Sequence, residues 1–126
     1  MAPPLLVHII DDDDAVRDSL AILLETRGFD VATYATAQAF LDHAEGGIEG
    51  CVITDVQMPE MNGLQLLRAF KARHLDVPVL VVTARSGRTL AEEAMAQGAR
   101  ALIEKPFDPD AFVETIRTTL ADRPPT

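Results

Sequence analysis

The chain holds one cysteine, few basic residues and no apolar run long enough to cross a membrane, and each shortage removes a class of protein. The lone Cys51 excludes an internal disulfide, and its apolar neighbours Val52 and Ile53 mark it as a small buried hydrophobe. Lys and Arg number 11 against 20 Asp and Glu, a net charge of −9. Phosphate backbones demand a basic face, so this domain is not expected to bind nucleic acid directly. The same charge suits divalent cations or basic partners. No apolar stretch approaches the ~20 residues of a membrane span, and Met1-Ala2-Pro3-Pro4 does not read as a signal peptide. A cytoplasmic protein without membrane contact is expected. Internal repeats and low-complexity tracts are also missing. What remains, 126 residues that are 48% apolar and 25% charged, is the composition of one globular domain rather than a disordered chain.

An acidic run, Asp11-Asp12-Asp13-Asp14, follows directly on the apolar stretch Leu5-Leu6-Val7-His8-Ile9-Ile10. A strand-like segment pins those charges where it leaves the core, so their mutual repulsion must be offset by a hard cation, a helix N-terminus, or both. Further apolar, β-branched runs stand at Asp30–Tyr34, Cys51–Thr54, Val77–Val82 and Ala101–Ile103. Helical spacing lies between them. Val16, Leu20, Leu23 and Leu24 share a face closed by Gly28. Thr36 caps a second helix with Phe40 and Leu41, ending at Gly46-Gly47. Leu64, Leu67 and Phe70 mark a third, and Leu90, Ala94 and Met95 a fourth that ends at Gly98. Phe112, Ile116 and Leu120 mark a fifth, with Asp108 or Asp110 near its start. Alternating β and α implies an α/β fold, a doubly wound parallel sheet with helices on both faces. The first, third and fourth strands read as central, and the second as an edge. The domain is expected over residues 1–121, with 122–126 a tail or the start of an interdomain linker.

Ligands of open α/β sheets bind beyond the carboxyl ends of the strands. The first strand ends at Asp11 and Asp12, the third at Asp55 and the fourth at Thr83; Glu104-Lys105-Pro106 follows the fifth. If the first and third strands are neighbours, three carboxylates converge on a crevice suited to Mg²⁺. An ionised Asp55 beside that ion is a competent nucleophile toward a phosphoryl group. Lys105, the metal and the Thr83 hydroxyl would then share the charge of the three phosphoryl oxygens. Pro59 and Gly63 shape the loop behind Asp55.

These motifs in this order resemble the response-regulator receiver domain, the family of the chemotaxis receiver, over residues 5–121. They are Asp11-Asp12, the loop Asp55-x-x-Met58-Pro59-x-Met61-x-Gly63, Val82-Thr83-Ala84 and Lys105-Pro106-Phe107. The stretch Val7-His8-Ile9-Ile10-Asp11-Asp12-Asp13, followed by Val16-Arg17, Phe40-Leu41 and Ile103-Glu104-Lys105-Pro106-Phe107, is similar to the FixJ-type subgroup of transcriptional regulators. The resemblance implies a flavodoxin-like (βα)5 sheet in strand order 2-1-3-4-5. It implies that Asp55 accepts a phosphoryl group from a phosphohistidine of a sensor histidine kinase or phosphotransfer protein. It makes Asp12, Asp55 and the Gln57 main-chain carbonyl the Mg²⁺ ligands, with Asp11 acting through water. Lys105 would contact the phosphoryl group, its bond to Pro106 would be cis, and Thr83 would be the switch hydroxyl. Leu102 stands where the family usually has Tyr or Phe, and fills that space without a ring or hydroxyl. Arg85 is opposite in sign to the acid often found there, and Gln57 is a rate-tuning position, so no phosphate lifetime follows.

Other residues take plainer readings. Asp13 or Asp14 caps the first helix. Met58 and Met61 pack rather than bind metal. His8, His43 and His74 lie far apart along the chain without metal-ligand spacing, and His8 is expected to pack mid-strand. Helix four and strand five offer a face for a phosphorylation-dependent homodimer or for control of an effector. The leading function is a two-component receiver, autocatalytic in phosphorylation and dephosphorylation but no metabolic enzyme, serving transcriptional regulation. Alternatives are a stand-alone receiver or phosphorelay intermediate, a binding module indifferent to phosphate, and an Asp-dependent phosphatase. The last usually carries Asp-x-Asp, and Asp55-Val56-Gln57 lacks the second acid.

Overall fold

The computed structural model describes residues 6–44, 48–55, 63–73, 75, 77–83, 88–105 and 107–121, with 63 and 88–91 as backbone. Five βα units follow one another: β1 (Leu6–Ile10), α1 (Asp14–Thr26), β2 (Asp30–Tyr34), α2 (Ala37–His43), β3 (Cys51–Asp55), α3 (Gly63–Ala72), β4 (Val79–Thr83), α4 (Arg88–Ala96), β5 (Ala101–Glu104) and α5 (Pro109–Ala121). The strands form one parallel sheet in the order β2-β1-β3-β4-β5, as expected. Central β3 and β4 are buried almost throughout, whereas β2 at the edge exposes Asp30 and Thr33.

Side chains alternate across a strand, so each strand feeds two apolar layers. Val7, Ile9, Cys51, Ile53, Leu80 and Val82 face α1 and α5, against Leu24, Phe112 and Ile116. Ile10, Val52, Val79 and Val81 face the other side, against Phe40 and Leu41 of α2, Leu66 and Phe70 of α3, and Ala94 of α4. Cys51 is buried in the first layer.

Helix starts follow local chemistry. The Asp13 carboxylate caps α1 by accepting from the Ala15 and Val16 amides at 2.9 and 3.2 Å. Thr36 accepts from the Ala39 amide at 3.0 Å, and Asp108 from the Ala111 amide at 3.0 Å. Three expectations need correction. The second helix ends at His43, ahead of the Gly46-Gly47 pair, which lies outside the described residues. The fourth strand begins at Val79, because Pro78 has no amide for the ladder and only its carbonyl joins, accepting from the Val52 amide at 2.9 Å. Met95 is 51% exposed, turned one residue round the helix from the fully buried Ala94; the Leu90 side chain lies outside the description.

His8 packs as expected, with a defined tautomer. A carbonyl only accepts, so Nε2–H donates to Glu49 O at 2.8 Å, and Nδ1 accepts from the Tyr34 hydroxyl at 3.1 Å. Burial pushes the imidazole below its usual range; the Glu49 carbonyl opposes that and the charge of His43 adds to it. Folding brings the His8 and His43 rings to 6.5 Å despite their distance in sequence. His74 lies outside the described residues.

The entry to β3 depends on Gly50. Its φ is +92°, and an added Cβ would stand 2.0 Å from the Leu6 carbonyl oxygen. Gly28, at φ +93°, has nothing within 4 Å of its own hypothetical Cβ. Gly28→Ala therefore carries only the left-handed penalty, about 1 kcal/mol, while Gly50→Ala adds a backbone clash and is expected to cost about 3 kcal/mol or more. Urea unfolding of the two variants separates them, and equal losses would contradict the close approach of Gly50 to β1.

Candidate functional site

Strand register assembles the polar groups at one edge of the sheet. Ile10 pairs with Thr54, so Asp11 and Asp55 emerge side by side from β1 and β3. Asp55 pairs with Val82 and Thr83 with Glu104, which sets Thr83 and then Lys105 on the next two strands. The Lys105 amide donates to the Thr83 carbonyl at 2.8 Å, extending the ladder one step past β5. At the far end of that step Lys105 Nζ meets Asp55 Oδ2 at 3.3 Å. Both side chains of this pair are mostly covered, at 28% and 17% exposed.

Asp11 is buried, while Asp12, Asp13 and Asp14 are exposed. Its amide donates to Tyr34 O of β2 at 3.1 Å, and its Oδ1 accepts from the Asp13 amide at 2.9 Å. Burial raises the Asp11 pKa above the ordinary carboxylate range. The Asp13 amide and the Lys105 charge lower it, and the nearby Asp55 and Asp12 charges raise it. Within the acidic run the expected helix cap is present. Asp13 is the cap, Asp14 pairs with Arg17, and Asp11 turns into the crevice with Asp55.

Thr83 is fully buried at the end of β4. Leu102, paired with Val81, is partly buried against the apolar layer that includes Ala94. Gln57, Met58, Pro59, Met61, Ala84, Arg85 and Pro106 lie outside the described residues, and with them the metal-binding carbonyl, the rate-tuning positions and the cis bond. Phe107 stacks on Phe112 with ring centroids 4.4 Å apart, tying the segment after Lys105 to α5. An open groove of about 650 Å³ runs beside the site between α1 and this segment, lined by Val16, Ser19, Leu20, Lys105 and Phe107 among others.

Sequence reasoning gave Arg17 no part in the site. Its guanidinium, 15% exposed, donates to Asp11 O at 2.7 Å through one nitrogen and to the Asp14 carboxylate through the other. The available signal was an arginine three residues beyond the last acid of the run, a spacing that faces the two side chains on a helix.

A hard dication fits this donor set. The carboxylate of Asp11 is desolvated and lies near two like charges, an arrangement that a divalent ion relieves. Among the described residues no three His, Cys, Asp or Glu stand together so as to hold a metal ion, so the expected convergence of Asp11, Asp12 and Asp55 as three carboxylates is not met. Mg²⁺ does not require three, since it keeps several waters and takes few carboxylates.

A mostly covered Asp–Lys pair and an acidic pocket at the carboxyl edge of a 2-1-3-4-5 sheet define a class. Residues 7–117 match the response regulator receiver domain, and the chain belongs to that family of two-component signalling modules, which generally use Mg²⁺ for phosphorylation. It is 47% identical over 120 residues to the transcriptional regulatory protein FixJ of Azorhizobium caulinodans, covering 95% of this chain and 57% of that protein. With FixJ of Bradyrhizobium diazoefficiens it shares 42% over 119 residues, 94% of this chain and 58% of the relative. The chain thus spans just over half the length of these relatives. The crystal structure of FixJ-N superposes with a TM-score of 0.91 at 36% identity, with both chains fully covered. A Vibrio cholerae chemotaxis protein, CheY4, gives 0.84 at 27% identity, over 94% of this chain and 99% of that one. No helix among the described residues is long and apolar enough to cross a membrane.

Because the Asp11 pKa is raised on folding, ionised Asp11 costs stability, and the cost grows as pH rises above the ordinary carboxylate value of 3.8. Asp11→Asn keeps an acceptor for the Asp13 amide and removes the charge. Without metal at pH 7 the variant is expected to be more stable than wild type, seen as a higher Tm, with the gap closing toward pH 4. A variant that melts at or below wild type at pH 7 would contradict the cost of burying the Asp11 charge beside its acidic neighbours.

Proposed function

We propose that this chain is the receiver of a two-component pathway that accepts a phosphoryl group on Asp55 from a phosphohistidine of a sensor kinase or phosphotransfer protein. The observation that carries this reading is the Lys105–Asp55 contact at 3.3 Å, which joins the ends of β5 and β3 across the end of β4, where Thr83 is buried. An Asp55 oxygen attacks phosphorus, the phosphorus–nitrogen bond breaks, and the released imidazole nitrogen takes a proton from solvent. Lys105 swings from the free carboxylate to a phosphoryl oxygen, so its charge serves ground state and product alike. Water later attacks the acyl phosphate, releasing inorganic phosphate and restoring the carboxylate. The module turns over only its own phosphoryl group.

Asp12, Asp55 and the Gln57 carbonyl would hold Mg²⁺, with Asp11 acting through water; the bound ion supplies neutralising charge for the phosphoryl oxygens. Thr83 is the switch hydroxyl, and Leu102 on β5 fills the space behind it. The groove gives the phosphohistidine protein an apolar footing that reaches Lys105, the partner of Asp55. Phosphorylation favours a homodimer through α4 and β5, where Met95 is exposed. The receiver unit covers residues 1–121, with 122–126 a tail or the start of an interdomain linker. The likeness to FixJ supports a role in transcriptional regulation, in the cytoplasm, through an effector rather than through direct nucleic-acid contact.

Acetyl phosphate with Mg²⁺ is expected to add one phosphoryl group to the intact mass of the wild type. The adduct should be missing in Asp55→Asn and with chelator, and should form about a hundredfold more slowly in Lys105→Ala. Sedimentation of the phosphorylated sample should show the dimer. An unmodified wild-type mass would overturn the proposal.

A further inference from the structure

The mostly buried guanidinium of Arg17 stands among four acids and is committed to two of them. One nitrogen donates to the main-chain oxygen of Asp11, at 2.7 Å, and the other to the Asp14 carboxylate. Asp11 is thereby held at three points: its amide by Tyr34 O of β2, its carboxylate Oδ1 by the Asp13 amide, and its carbonyl by Arg17. Asp13 is fixed in turn, as the cap of α1 and through its carbonyl, which accepts the Arg17 amide at 3.0 Å. Asp12 spans the gap between these two anchored residues. Its position is set by these anchors, of which the Arg17 side chain supplies the one on the Asp11 carbonyl.

The placement is costly in isolation. A cation in the first turns of a helix opposes the macrodipole, and covering a guanidinium is unfavourable unless its donors are satisfied. A planar fork satisfies both acceptors at once, which a lysine ammonium on a flexible stem does not.

We infer that Arg17 is a positioning residue for the metal-binding acids, fixing Asp11 and Asp12 through the Asp11 carbonyl without touching metal or phosphoryl group. This rests on the proposed Mg²⁺ site at Asp11, Asp12 and Asp55. Charge and geometry give opposite signs, which makes the inference decidable. Removing a cation from an acidic pocket should tighten Mg²⁺ binding by electrostatics alone; loosening the loop that carries the acids should weaken it, as loss of outer-shell partners does by roughly 10–100-fold.

Calorimetric titration of Mg²⁺ into the metal-free chain at fixed ionic strength reads the difference. Arg17→Met is expected to raise the Mg²⁺ Kd about tenfold, and Arg17→Lys also to weaken binding, since it retains charge but not the fork. Phosphorylation by acetyl phosphate should return to the wild-type rate once Mg²⁺ saturates either variant. Arg17→Lys keeps the charge and the stem, so it carries the test if Arg17→Met fails to fold. Unchanged or tighter Mg²⁺ binding in a folded variant, beside a normal wild type, overturns this inference alone. A wild type that binds no Mg²⁺ overturns the metal site and this inference together.

Discussion

Repulsion among carboxylates gathered at one sheet edge is the constraint on which the rest of this structure depends. Asp11 and Asp55 leave adjacent strands at the same level, and Asp12 follows at once. Brought together, such charges would drive the loops apart. Asp12 stays exposed to solvent, and the acids around it are opposed by specific partners. Lys105 reaches Asp55, the Asp13 amide reaches Asp11, Arg17 ties Asp11 to Asp14, and the start of α1 receives the Asp13 side chain. The offset is incomplete at Asp11, whose pKa stays raised by burial and by its acidic neighbours. A bound cation would relieve that residual cost, which is one ground for the proposed Mg²⁺ site.

Holding charges in this way demands a rigid frame, which the two apolar layers supply. β1, β3 and β4 are clamped from one side by α1 and α5 and from the other by α2, α3 and α4, so the strand ends move little relative to one another. Register then acts as the ruler. A one-residue slip of β3 against β1 would turn Asp55 to the opposite face and put Thr54 in its place. Gly50 at the entry of β3 and the His8–Glu49 bond both hold that register from below. The network around His8 reaches the site itself, because Tyr34 bonds His8 through its hydroxyl and Asp11 through its carbonyl.

Much of this was legible in the residues. Alternation of β-branched runs with helical spacing marks five βα units, and short-range chemistry places one cap at Thr36 and narrows two others to Asp13 or Asp14 and Asp108 or Asp110, which the structure resolves to Asp13 and Asp108. The strand-end residues Asp11, Asp55, Thr83 and Lys105 follow once parallel order is assumed, because register is then forced. The plainer misses share a cause. Met95 is apolar yet exposed, and Pro78 delays a strand that its apolar neighbours suggested; periodicity is blind to which side of a helix has a partner and to a missing amide. Arg17 was overlooked because its chief acceptor is a backbone oxygen, which carries no signature in sequence. The nearness of His8 and His43 is likewise a product of β1 and α2 packing, not of spacing. Likeness to a known family brought in the strand order, the Gln57 carbonyl and the cis bond, none of which residue chemistry alone would have supplied.

If the acids at this edge form an electrostatically strained cation site, Mg²⁺ should stabilise the fold by relieving that strain. Thermal unfolding at pH 7 across a Mg²⁺ titration, matched for ionic strength with monovalent salt, tests this directly. The wild-type Tm is expected to rise with Mg²⁺ and then follow the logarithm of its concentration above Kd, and the rise should vanish in Asp55→Asn paired with Asp12→Asn. A wild-type Tm indifferent to Mg²⁺, or an equal rise in the doubly substituted chain, would contradict the account.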